Sequence, residues 1–68
     1  MNVSFFLYGP HEPPLVCHTM DAVPRVGEKV KLRPHYSENS KTYVVEDVEW
    51  IPMAASVNVD IRELTSFG

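Results

Sequence analysis

No stretch of this chain keeps an apolar repeat at helical spacing long enough for an α-helix, and that absence limits the fold more than any other feature. Alternation with a period of two recurs instead, in short runs closed off by proline, glycine or polar clusters. Glu28–Pro34 is the clearest run: Val30 and Leu32 are expected to point inward, Lys29, Lys31 and Arg33 outward. Asn2–Tyr8 alternates Val3, Phe5 and Leu7 with Ser4, Phe6 and Tyr8, so aromatic side chains occupy both faces. A strand with one solvated face alternates more cleanly, so this one is expected to be covered on both sides or to contact another chain. Leu15–Met20 reads as a second strand, and Ser56–Ile61 as the last, with Val57, Val59 and Ile61 inward.

The fourth run, Thr42–Ile51, is long and changes phase. Val44, Val48 and Trp50 share one parity with Glu46; Tyr43, Val45 and Ile51 share the other with Asp47 and Glu49, and the apolar face swaps near Glu46-Asp47. One extra residue in a strand reverses the facing of everything after it, so a β-bulge or sharp bend is expected there. The intervening segments are turn-like. Gly9-Pro10 and Pro13-Pro14 stiffen the first loop, Pro24 and Gly27 shape the approach to the third strand, and Ser37–Ser40 forms a polar tip.

Sixty-eight residues make one domain, spanning 1–68. A chain of this size buries only about 60% of its unfolded surface, and its stability is expected at roughly 3–10 kcal/mol. Cys17 is the only cysteine, so no disulfide forms within the chain. His11, His18 and His35 show no zinc-ligand spacing with it. No metal or cofactor is expected, which leaves self-association as the remaining source of added stability. The longest apolar run, Phe5–Tyr8, is far too short to span a membrane, and the N-terminal residues lack the basic start and cleavage site of a signal peptide. A cytoplasmic location follows as an expectation.

Five short strands without a helix suit an all-β domain, either a closed five-stranded barrel or a strongly bent antiparallel sheet. Glu63–Gly68 can add a short C-terminal helical turn, with Leu64 and Phe67 packing back. The segment Val23-Pro24-Arg25-Val26-Gly27-Glu28-Lys29-Val30-Lys31-Leu32 resembles the turn-and-strand V-G-[DE]-x-V-x-[VL] of SH3-like barrels, KOW-type and Tudor-like modules among them. Thr42–Trp50 is similar to the strand that follows it there and Val57–Ile61 to a closing one; taken together the resemblance covers about half the chain and implies an SH3-like barrel. A KOW-type module implies a nucleic-acid or transcription-complex partner. A Tudor-like module implies an aromatic cage, for which Tyr36, Tyr43 and Trp50 are the candidates. Val57-Asn58-Val59-Asp60 is also similar to the V-Q-I-Y active-site strand of plasmid-borne, trimethoprim-resistant dihydrofolate reductases, SH3-like barrels that share a pore between four subunits. Both pore-facing residues of that strand differ here, and no role is carried over.

Three function classes follow. The first is a non-catalytic interaction module, self-associating or binding a protein partner, with Phe6, Tyr8, Tyr36 and Trp50 as contact residues; small domains rarely leave such aromatics bare. The second is nucleic-acid binding through Arg25, Lys29, Lys31, Arg33 and Lys41, with Tyr36 as a stacking platform. The net charge of −3 weighs against it. So does the expectation that Lys29, Lys31 and Arg33 pair across strands with Glu46, Asp47 and Glu49. The third is an enzyme whose site is shared between subunits, because a single barrel this small seldom encloses a ligand. No catalytic residue is assigned: Cys17 and His18 are adjacent on a strand and point to opposite faces, and Cys17 is expected to pack as a small hydrophobe.

Overall fold

The computed structural model describes residues 1–7, 9, 11–34 and 36–64. Five strands form one sheet: β1 (Asn2–Phe6), β2 (Val16–Thr19), β3 (Lys29–Leu32), β4 (Lys41–Ile51) and β5 (Ser56–Glu63). Their spatial order is β2-β1-β5-β4-β3, and the sheet curls until it is nearly closed into a barrel. Each connection reverses the chain, so odd-numbered strands run one way and even-numbered strands the other. Joining the first strand to the fifth therefore makes one parallel pair, and β1 lies parallel to β5 from Asn2↔Ser56 to Phe6↔Asp60. The sheet is mixed for that reason, and it is the barrel alternative rather than the bent antiparallel sheet that it approaches. No ladder joins β2 to β3, and that seam is where the barrel stays open.

Alternation decides what fills the interior. Val3, Phe5, Val16, Leu32, Tyr43, Val45, Val57, Val59 and Ile61 are buried together, with every strand contributing. The phase change in β4 is a bulge: Val45 pairs with Ile61, but Asp47 pairs with Asp60, leaving Glu46 as the extra residue. Asp47 Oδ1 accepts a hydrogen bond from the Val48 amide at 2.9 Å beside it. Beyond the bulge Val48 and Trp50 stand opposite Val59 and Val57, so the apolar facing resumes with the new parity.

A 3₁₀ turn, Pro52–Ala54, connects β4 to β5, and Ala55 closes it in the left-handed region at φ 50°. Its amide donates to Pro52 O at 3.0 Å. Gly27 takes φ 92°, which supports its reading as a turn glycine before β3. The tail expected to form a helical turn lies outside the described residues from position 65 on; Glu63 belongs to β5. No helix among the described residues is long and apolar enough to cross a membrane.

Candidate interaction site

At the end of β4 the barrel wall outruns its own core. Trp50 lies on the inward-facing parity, opposite the fully buried Val57. The residue is nonetheless 55% exposed. The segment that packs against it is not a strand but the turn before β3, and a turn covers an indole incompletely. The result is a shallow groove of about 520 Å³ lined by Met1, Val23, Pro24, Val26, Val48 and Trp50, with Asp21 and Arg25 at its rim. Val26 is 62% exposed and Met1 is also open to solvent. Met53, in the turn just after β4, is almost wholly exposed. The turn under the groove is braced by hydrogen bonds within itself and to β4. The Arg25 amide donates to Glu28 Oε1 at 2.6 Å, Glu28 N donates to Arg25 O at 3.0 Å, and Gly27 N donates to Val45 O at 2.8 Å. The groove is thus presented on an ordered scaffold, with an apolar floor and one charge of each sign.

The aromatic residues singled out from the sequence do not gather in one place. Trp50 alone lines this groove. Phe6 is half-buried on the opposite, outer face of the sheet, in a recess with Asp47, Glu49, Asn58 and Asp60. Tyr36 is exposed in the turn after β3, and Tyr8 lies outside the described residues. Tyr43 is fully buried in the core, so Tyr36, Tyr43 and Trp50 form no aromatic cage.

The basic residues also divide. Arg25 borders the Trp50 groove, while Lys31 and Arg33 line a separate groove beside β3. Lys41 is paired with Glu63 at 3.6 Å. The expected pairing of Lys29, Lys31 and Arg33 with Glu46, Asp47 and Glu49 does not form. Register is the reason: β3 lies against residues 41–44 of β4, with Lys29 opposite Val44 and Lys31 opposite Thr42. The acids come later in β4, where the neighbour is β5. Charge is therefore segregated. Asp47, Glu49 and Asp60 share the outer face of β4 and β5, and among the described residues Arg62 pairs with Glu46 alone, at 3.3 Å. Burial and the three neighbouring carboxylates raise the pKa of Asp60 above its ordinary value. No group of three His, Cys, Asp or Glu side chains among the described residues is arranged to hold a metal ion.

Cys17 differs from its expected role. It is exposed rather than core: Val16 is the buried residue of β2, and Cys17 lies on the other parity beside Ser4, whose Oγ is 3.4 Å from the Cys17 Sγ. His18 stacks edge-on against Phe5, with ring centroids 6.3 Å apart.

Met1, Val23, Pro24, Val26 and Val48 were not among the sequence-derived contact residues. A signal for two of them was present: Val23 and Val26 are apolar residues within a turn, where polar residues are the rule. Comparison of the chain with protein-family models, with curated proteins and with solved structures finds no match.

Proposed function

We propose that this protein is a small non-catalytic interaction module that self-associates through the Trp50 groove. The observation that carries the reading is Trp50, left 55% exposed on the inward-facing side of β4 in a groove with Met1 and Val26. Exposed apolar clusters of this kind mark contact surfaces, and tryptophan is the residue most enriched where contacts contribute strongly. The rim suits a second copy. Asp21 and Arg25 carry opposite charges on one edge of the groove. A two-fold arrangement brings each against the other's counterpart, as an isologous interface requires. The small core supports the same reading, since covering the groove adds apolar burial that a chain of this length otherwise lacks.

Light scattering across a concentration series tests it. The wild-type mass rises to a multiple of the monomer, and Trp50→Glu stays monomeric and folded, melting where the wild type melts at concentrations too low for it to associate, because the exposed indole contributes little to the core. A wild-type chain that remains monomeric throughout overturns the reading. So does a Trp50→Glu variant that folds and associates as before.

A further inference from the structure

We propose that the open seam between β2 and β3 receives an extended, acidic segment of a partner protein as an added strand. This surface is separate from the Trp50 groove and rests on different observations.

The seam is bounded on both sides by strand edges without a ladder partner. On β3, the Val45 amide donates to Glu28 O, and the alternation of an antiparallel pair then turns Val30 and Leu32 toward β4. The main-chain groups of Lys29 and Lys31 face the seam. On β2, the Met20 amide donates to Met1 O, so Cys17 and Thr19 direct theirs outward. Between the edges run two grooves, of about 390 and 540 Å³, that meet at His18, Lys31 and Leu32. Phe5, Val30 and Leu32 supply an apolar floor. Lys31 and Arg33 supply the charge, with Glu38 at the end of the groove near the 37–40 loop.

Charge selects the occupant. No carboxylate among the described residues lies within ion-pair distance of Lys29, Lys31 or Arg33. Two β3 edges from two copies of this chain would set lysines against lysines, a recognised means of blocking edge-to-edge pairing. A strand with alternating apolar and acidic residues has no such conflict. One face fills the Phe5–Leu32 floor while the other meets Lys31 and Arg33, and its backbone completes the ladder. An oligonucleotide can use the cations but not the strand edges or the apolar floor, and three cations on one strand give it little hold.

The probe is a capped octapeptide of alternating valine and glutamate, titrated into the isotope-labelled chain while backbone amide resonances are followed. Shifts concentrate at Cys17, Thr19, Lys29 and Lys31. Lys31→Glu combined with Arg33→Glu weakens binding by about tenfold or more, the scale of losing paired rim charges. Methylating every second peptide amide, in at least one of the two frames, abolishes binding by removing ladder donors. Trp50→Glu leaves it intact, which separates this proposal from the preceding one. The proposal is overturned if no resonance along the seam moves. It is equally overturned if both methylated peptides bind as well as the parent, or if oligothymidylate binds the same rim more tightly than the peptide.

Discussion

Asp60 sits where the fold works against its own charge, and replacing it with asparagine is expected to stabilise the protein at neutral pH. It lies directly opposite Asp47 across the β4–β5 ladder, with Glu49 further along the same outer face. Directly opposed side chains on adjacent strands are about 5 Å apart, and a pair of unit charges at that distance costs about 0.8 kcal/mol in water. Glu49 is farther away, and Glu46 has its charge shared with Arg62. Together these carboxylates oppose the ionised Asp60 by about 1 kcal/mol at low salt. For a domain of this size that corresponds to a rise of roughly 4–8 °C in Tm for Asp60→Asn. The raised pKa sets the pH window. The folded state holds the Asp60 proton more tightly than the unfolded chain, so the penalty is absent below the ordinary value of 3.8. It grows as pH rises from there and is fully present once pH exceeds the folded-state pKa. Urea unfolding of both proteins at pH 7 and pH 3, at low and high salt, measures the difference. The expected gain appears at pH 7 and low salt, shrinks with salt and vanishes at pH 3. An Asp60→Asn variant that is no more stable at pH 7, or equally stabilised at pH 3, would refute the reasoning.

Other perturbations test the fold itself. Val59→Ala removes two methyl groups from a fully buried position in the strand that β1 and β4 both flank, and a loss of about 2–3 kcal/mol is expected by urea unfolding with the m-value unchanged. Ala55→Gly relieves a left-handed alanine and raises stability by up to about 1 kcal/mol in a thermal melt. Gly27→Ala has free space for the added carbon but must hold φ near 92°, and destabilises by about 1 kcal/mol or more. Cys17 reacts with a thiol reagent in the native state as fast as a small model thiol, since its place on β2 is solvent-exposed; slow, unfolding-limited reaction would contradict that placement.

The strands were legible because alternation is a local signal, written in adjacent residues. Val30 with Leu32, and Val57 with Val59 and Ile61, announce both the strand and its inner face. The bulge was legible for the same reason, since the displaced parity of Val48 and Trp50 records one extra residue. Strand pairing is not local. Lys29, Lys31 and Arg33 were expected beside the acids of β4, but the length of β4 lets β3 stop short of them. That offset left a basic edge and an acidic face unpaired with each other. The candidate site was legible only at Trp50. Its companions Met1, Val23 and Val26 come from the first residue and a turn, where no periodicity marks a residue as part of a surface. Cys17 was misplaced because a short apolar-polar run does not say which of its faces is inward.

Trp50 is the only tryptophan in the chain, so tryptophan fluorescence reports on the surroundings of that one side chain in the proposed interface. The most direct measurement follows its emission maximum and its quenching by acrylamide across the concentration range in which the mass of the protein rises. The account predicts a blue shift and falling quencher access as association proceeds. An indole that stays solvent-exposed while the protein associates would place the interface elsewhere and contradict the account.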